Sequence, residues 1–149
     1  MDRLIRKVEL KDFFAIKKIE KDCFDEPWDD VSLSFELYFS KDSYYYVYLL
    51  EETIVGFFGL RDIDGIYNIT TLCVTKAYRK QGIARAMLDY IFNNFKDKAF
   101  VLEVAINNYN AIDLYKKYDF QITKTLKNYY KHNDAYYMEA KNDYFRDRN

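Results

Sequence analysis

One histidine, one proline, two cysteines and four glycines in 149 residues each remove a class of explanation. His132 is the sole imidazole, and Cys23 and Cys73 lie far apart in no metal-ligand spacing, so a built metal centre is not expected. Two cysteines are also too few for a disulfide framework and read as free thiols in a reducing compartment. No apolar run approaches the roughly 20 residues that span a bilayer, and the charged opening Met1-Asp2-Arg3 is unlike a signal peptide. The expectation is a soluble cytoplasmic protein with no membrane partner. Charge of either sign is not in excess: 23 Lys and Arg face 24 Asp and Glu, for a net charge of -1. No overall field recruits nucleic acid, so any anion site must be local.

Aromatic residues are what the chain has in plenty, with 16 Tyr and 12 Phe. They suit half-buried pleated surfaces, and without a basic groove beside them they do not read as a base-stacking platform. The length fits one domain with a sizeable core, expected over residues 1–141 and followed by a charged tail over 142–149.

Periodicity sets the order of elements. Arg3 to Val8 alternates as a strand, and Lys11-Asp12 opens a helix over Phe13 to Cys23 with Phe14, Ile16, Ile19 and Cys23 inward. Phe24-Asp25-Glu26-Pro27-Trp28 breaks it, because proline fixes its φ and pushes its predecessor out of the helical region. A second helix is expected from about Asp30 to Ser40 with Val31, Phe35 and Tyr38 or Phe39 inward. Tyr44 to Leu50 and Thr53 to Arg61 read as a hairpin about Glu51-Glu52. Asp62-Ile63-Asp64-Gly65 is a turn with Gly65 at positive φ, and Tyr67 to Val74 is the next strand. Ile83 to Phe95 is an amphipathic helix with Ile83, Met87, Tyr90 or Ile91 and Phe95 on its core stripe. Ala99 to Ile106 is a central strand, and Asn107 to Asn110 caps a helix from about Ala111 to Tyr118. Phe120 to Leu126 and Ala135 to Ala140 are the last strands, joined by a polar segment Lys127 to Asp134. The expected fold is α/β (α+β): a mixed, mostly antiparallel sheet of about seven strands flanked by about four helices, with a right-handed crossover through the long helix.

The stretch with the clearest chemistry is Leu72 to Leu88. A strand ends in the basic loop Thr75 to Gln81, which opens through Gly82 into the long helix. The first amides of a helix have no intrahelical partner and sit at the positive end of its dipole, so this is a phosphate site in outline. Arg79 and Lys80 add charge, Gly82 admits unusual dihedrals and Ala84 keeps the next contact small. The spacing lacks the Lys-Ser/Thr of a P-loop and the three glycines of a Rossmann fingerprint.

Two other residues invite attention. Glu103 is the one charge in an apolar strand, where an ionised carboxylate is costly unless wet, paired or functional. Spacing leaves open whether it reaches solvent at a strand end or acts as a base. Tyr115 lies on the last helix, where a tyrosine is ordinarily core. Cys73 reads as a small buried thiol rather than a nucleophile, and His132 as a surface residue.

The spacing Arg79-x-x-Gly82-x-Ala84 after an apolar strand, together with the element order, resembles the GNAT N-acetyltransferase superfamily. Leu102-Glu103-Val104, Asn108, Ala111-Ile112-x-Leu114-Tyr115, Phe120, Asn128-Tyr129-Tyr130 with Asp134-Ala135, and Phe24 with Pro27-Trp28 are similar to the RimI-type branch, the bacterial ribosomal-protein alanine N-acetyltransferases. The resemblance implies that Arg79, Lys80, Gln81, Gly82, Ile83 and Ala84 grip the pyrophosphate of acetyl-CoA. It also implies that the backbone of Leu72, Cys73 and Val74 meets the pantetheine and polarises the thioester, and that Asn108 contacts the pantetheine. Glu103 becomes the proton acceptor and Tyr115 the proton donor. The implied partner is a protein N-terminal peptide, such as that of a ribosomal protein, with acetylation of a small amine or a lysine, or acyl-CoA binding without catalysis, as the other readings. Asp119 stands where the family has Gly, at a position favouring positive φ that Asp tolerates. Ala105 and Asn107 replace an Arg and a Ser of the branch and bear on the acceptor.

Overall fold

The structure is a computed structural model that describes residues 2–141; the expected tail over 142–149 lies outside the described residues. Seven strands are hydrogen-bonded in the order β1-β2-β3-β4-β5-β7-β6: β1 Arg3–Lys7, β2 Ser43–Leu50, β3 Thr53–Ile63, β4 Ile66–Val74, β5 Phe100–Ala105, β6 Gln121–Tyr130 and β7 Asn133–Ala140. Four helices accompany them: α1 Phe13–Cys23, α2 Asp30–Ser34, α3 Ile83–Asn94 and α4 Tyr109–Lys117. The mixed sheet is the expected one. β4 pairs in parallel with β5, with Tyr67 opposite Phe100 and Asn68 opposite Val101, while β1/β2, β2/β3, β5/β7 and β6/β7 are antiparallel. By contact density the residues form two compact units, one running to Arg61 and including Thr71–Asp89, the other comprising Asp62–Thr70 and the chain from Tyr90.

In the first unit the β2–β3 hairpin turns at Glu51 (φ 50) and Glu52 (φ 70). Positive φ at both central positions is what the two-residue turns that match strand twist demand, and here two glutamates adopt it without glycine or asparagine. Ile16, Ile19, Leu33, Leu37, Val47, Phe57 and Cys73 form a buried cluster. The expected inward faces of α1 and α2 need correction: Phe14 is 80% exposed, and Val31 (80%), Phe35 (59%) and Phe39 (69%) point outward, while Leu33, Glu36 and Leu37 are buried. The inward stripe runs instead through Leu33, Glu36 and Leu37, at i, i+3 and i+4. Beyond Ser34 the chain widens into one π turn over Phe35–Phe39, closed by the Ser40 N–H on the Phe35 carbonyl at 3.0 Å. Glu36 is turned inside, where it accepts from the Ser43 hydroxyl (2.7 Å) and the Tyr45 hydroxyl (3.1 Å) and pairs with Arg61. Gly59 makes room for that: a Cβ there would lie 2.2 Å from the Tyr45 ring.

In the second unit Phe92, Phe100, Tyr118 and Phe120 pack ring on ring, with Phe92 centred 4.6 Å from Phe100 and 5.5 Å from Tyr118. The α3 stripe is as expected at Ile83, Met87, Ile91 and Phe95, and Leu88 and Phe92 broaden it. The segment read as a polar connection is largely strand: β6 runs on to Tyr130 and β7 starts at Asn133, with Lys131 and His132 at the tip. Its residues are exposed and polar, so the alternation that marks a half-buried strand is missing from the sequence.

Candidate functional site

The loop after β4 is built from backbone. Leu72, Cys73 and Val74 close the strand; a Cβ at Gly56 would lie 2.8 Å from the Cys73 carbonyl, so glycine on β3 admits that close approach. The Thr75 N–H bonds to the Val55 carbonyl at 2.9 Å, and one 3₁₀ turn, Lys76–Tyr78, leads into Arg79. Lys80 (φ 64) and Gly82 (φ 81) both take the left-handed conformation, which wraps the chain tightly before α3 begins at Ile83. A Cβ at Gly82 would meet nothing within 4 Å, so the approach to the helix start is open there. Ile83 is 2% exposed, which leaves its main chain as the part that faces the loop, and the Ala86 N–H to the Gly82 carbonyl at 3.0 Å is the first helical bond.

The charges of this loop are used differently from the expectation. Arg79 does not extend outward: its Nε donates to the Val74 carbonyl at 2.9 Å, and one Nη to the Asp22 carbonyl at 3.4 Å. Asp22 in turn accepts from the Thr75 hydroxyl at 2.7 Å and the Lys76 N–H at 3.5 Å, and these hydrogen bonds, the Thr75 hydroxyl foremost, hold its carboxyl below the usual range. The last turn of α1 thus braces the loop, and Arg79 is a strut. Lys80, Gln81 and Gly82 are exposed and Ala84 is half-buried.

The second group of residues is built from side chains. Glu103 on β5 is half-buried and faces Tyr137 across the β5–β7 register. Its Oε1 accepts from the Asn68 amide at 3.1 Å, and the Tyr129 phenol lies close enough to feel its charge. Burial first, then the negative charge of Glu103, raises the Tyr129 phenol; the same order, with Tyr129 between, pushes Tyr130 up to about 12. Tyr137 is raised as well, by burial, Glu139 and Glu103. These phenols therefore stay protonated donors around one carboxylate. A bulge positions them: Asn128 sits at φ 54, its N–H held by the Asp134 carboxylate at 2.8 Å, and the β6–β7 register shifts between Leu126 and Tyr130. Asp134 also accepts the Ile106 N–H through its carbonyl at 3.2 Å, which ties the hairpin to the end of β5.

Asn108 is the N-cap of α4, its side-chain oxygen accepting from the Ala111 N–H at 3.4 Å, so the helix begins at Tyr109, two residues before the expected start. Tyr115 is buried against Phe120, ring centroids 5.8 Å apart. Asp119 has φ 66, the predicted left-handed cap, and it turns the chain so that the N–H groups of Tyr118 and Phe120 return to the Tyr115 carbonyl at 2.9 and 3.2 Å. Sequence reasoning missed Asn68; its one signal is a polar residue on the apolar strand Ile66–Val74. Tyr129 was quoted without a role, and its Asn-Tyr-Tyr setting before Asp134 was the usable clue. Among the described residues no group of three or more His, Cys, Asp or Glu is placed to hold a metal, and no described helix is long and apolar enough to cross a membrane.

Residues 13–120 match the model of the acetyltransferase (GNAT) family. The chain belongs to that family. Among GNAT relatives, an N-alpha-acetyltransferase of Sulfolobus acidocaldarius is 35% identical over 101 residues, 62% of this chain and 60% of the relative. The chain thus spans about 60% of the length of that archaeal relative. A putative [ribosomal protein bS18]-alanine N-acetyltransferase of Bacillus subtilis is 28% identical over 132 residues, 87% of each protein. The crystal structure of the ribosomal-protein-S18-alanine N-acetyltransferase from Escherichia coli superposes with a TM-score of 0.86 over 94% of both chains at 21% identity, a likeness of fold. The seven-stranded mixed sheet with four helices is the GNAT fold.

Proposed function

We propose that this GNAT chain is an acetyl-CoA-dependent Nα-acetyltransferase that modifies the N-terminal amine of a protein by direct attack in a ternary complex. The observation that carries the reading is Glu103, a carboxylate on an otherwise apolar strand that accepts from Asn68 and has phenols that keep their protons beside it. Such a group is oriented by its hydrogen bond and placed to act as a base. A terminal ammonium with a pKa of about 7.7 to 8.0 asks little of it, whereas a lysine ammonium near 10.4 asks far more.

Each residue then has a task. Glu103 accepts the proton of the incoming ammonium. The main-chain amides of Leu72, Cys73 and Val74 polarise the thioester carbonyl, and backbone donors aimed at a developing oxyanion are worth about 3 to 4 kcal/mol. The turn from Arg79 through Lys80, Gln81, Gly82, Ile83 and Ala84 receives the pyrophosphate on its amides; the left-handed Lys80 and Gly82 and the open side of Gly82 support that fit. Asn108 spends its side-chain oxygen on the α4 cap, so its amide NH2 is the group offered to the pantetheine. Tyr115 returns a proton to the departing thiolate. A parallel β4–β5 register of two residue pairs agrees with a strand that exposes its later amides.

The relatives named for Nα-acetylation and for ribosomal-protein alanine acetylation support an N-terminal acceptor, and we assign it as the N-terminal alanine of a small-subunit ribosomal protein in the cytoplasm. The test is acetyl-CoA turnover on peptides with free or blocked α-amines that differ in their first two residues, read by mass spectrometry. Acetylation of free α-amines with alanine first is the expected result. Modification confined to lysine side chains would overturn the Nα assignment, and equal rates on all first residues would overturn the alanine one.

A further inference from the structure

Cys23 and Cys73 are distant in sequence and neighbours in the fold. Cys23 is the last residue of α1, half-buried and packed on the cluster to which Cys73, 1% exposed, belongs. The Cys23 Sγ reaches the carbonyl of Val74, the residue next to Cys73 on β4, at 3.7 Å. Around Cys23 the cation is the group that favours a negative sulfur: one Nη of Arg79 lies 3.6 Å from its Sγ, while the Val74 carbonyl accepts the proton of the thiol form. Around Cys73 the arrangement is the reverse. The Thr71 hydroxyl is 3.1 Å from its Sγ, but it is enclosed by apolar residues, and the Glu20 carboxylate, whose Oε1 is buried without a hydrogen-bond partner, acts on it from α1. Of two sulfurs in one packed cluster, one is half-buried beside a cation and the other is sealed in the core. Neither is used by the acetyl transfer through its side chain.

We propose that Cys23 and Cys73 are a dithiol modification site, in which Cys23 reacts with hydroperoxides and Cys73 resolves the product into an intramolecular disulfide. The Cys23 thiolate attacks one peroxide oxygen; the O–O bond breaks, the other oxygen leaves as hydroxide and takes a proton to become water, and Cys23 becomes a sulfenic acid. The Cys73 sulfur then attacks the Cys23 sulfur. The S–S bond forms as the S–O bond breaks, and the hydroxyl departs with the Cys73 proton as a second water. Two electrons pass from the thiols to the peroxide, and a dithiol reductant restores both. The acidities agree with this division of labour: the neighbouring Cys73 thiol, opposed by burial and helped by Arg79, brings Cys23 down to about 7, while Cys73 is driven well above its ordinary value by Cys23 and by burial.

The site also touches the cofactor loop, since Arg79 bridges Cys23 and the Val74 carbonyl. Resting on the acetyl-CoA reading above, a bound pyrophosphate places negative charge beside the thiolate and disfavours it, and by reciprocity the thiolate disfavours the cofactor. Acetyl-CoA therefore protects Cys23.

The experiment treats the reduced full chain with hydrogen peroxide near one equivalent, counts thiols, and maps peptides by mass spectrometry without reduction. The expected result is loss of both thiols together, a mass lower by two hydrogens and a Cys23–Cys73 linked peptide, at a rate that is half-maximal near pH 7. Cys73→Ser should stop at a dimedone-trapped sulfenic acid on Cys23, and Cys23→Ser should leave Cys73 unreactive. The wild-type map needs no variant to fold. Persistence of both thiols, over-oxidation of Cys23 without linkage, or only interchain disulfides would overturn the site. Saturating acetyl-CoA should slow thiol loss roughly tenfold, the worth of one charged hydrogen bond. If calorimetry detects no acetyl-CoA binding, the acetyltransferase reading fails while the disulfide stands or falls on the peptide map. If acetyl-CoA binds and the rate is unchanged, the coupling is wrong.

Discussion

The loop after β4 and the surroundings of Glu103 do opposite things with polar atoms. In the loop the side chains turn inward on the protein: Arg79 clamps the Val74 carbonyl, and Asp22 holds Thr75 and Lys76. What faces a ligand is main chain shaped by φ values of 64 and 81, with the exposed Lys80 and Gln81 side chains beside it. Around Glu103 the main chain is consumed by the β5–β7 ladder, and side chains of Asn68, Tyr129 and Tyr130 converge on one carboxylate. Backbone sites tolerate side-chain change and suffer from altered dihedrals; side-chain sites behave the other way round.

That contrast can be broken or sharpened by substitution. The largest effects belong to the side-chain region. Glu103→Gln and Tyr115→Phe should each lower kcat on the order of 10²-fold, a typical cost of removing a general acid or base, with acetyl-CoA affinity unchanged by calorimetry. Wild-type rates in both would remove the proposed roles. In the loop, Gly82→Val should weaken acetyl-CoA roughly tenfold, because a β-branched residue at φ +81 costs about 1 to 2 kcal/mol or displaces the turn. Lys80→Ala in the same assay should change it by less than about threefold, as expected of an exposed charge. A larger effect from Lys80→Ala than from Gly82→Val would reverse the comparison. Tyr129→Phe should reduce kcat about fivefold, the worth of one polar neighbour at about 1 kcal/mol, without altering acetyl-CoA affinity.

One expected effect is on stability rather than activity. Burial raises the Glu20 carboxyl above its ordinary value, against weaker help from Lys17 and the Trp28 N–H. A carboxyl raised in the folded state binds more protons there than when unfolded, so its contribution grows as pH falls through the raised value and becomes a penalty above it. Glu20→Gln should therefore raise stability at pH 7 by up to about 1 kcal/mol in denaturant melts and give no gain near pH 4. A gain at pH 4 with none at pH 7 would contradict the sign.

Much of this was legible in the chain. Apolar spacing placed α3, and the resemblance, by putting Asp119 where the family has glycine, implied the left-handed cap that its φ of 66 shows. The loop was legible as an anion site because glycine and helix start are local signals. What escaped was non-local or non-periodic. Nothing in Phe35-Glu36-Leu37-Tyr38-Phe39 announces a π turn, and Glu36 is buried only because Ser43, Tyr45 and Arg61, from β2 and β3, supply its partners. Residues 127–130 hid a strand because both faces are wet. Asn68 and Glu103 meet through the β4–β5 pairing, and Cys23 and Cys73 through packing of α1 on β4, neither of which leaves a pattern at any fixed spacing. Arg79 matched the expected motif, yet its side chain serves the loop's own carbonyl.

The strand order leaves β1 and β6 as the two edges of the sheet, and both are basic. β1 carries Arg3, Arg6 and Lys7, and β6 carries Lys124 and Lys127 along a run that is exposed nearly throughout. An unpaired edge ten residues long is an invitation to add a strand from another molecule. Here any two edges that approach, whether alike or unlike, bring lysine or arginine against lysine or arginine. Among the described residues no further strand pairs with that edge, and high salt, which screens repulsion between basic edges, is the condition under which self-association should first begin.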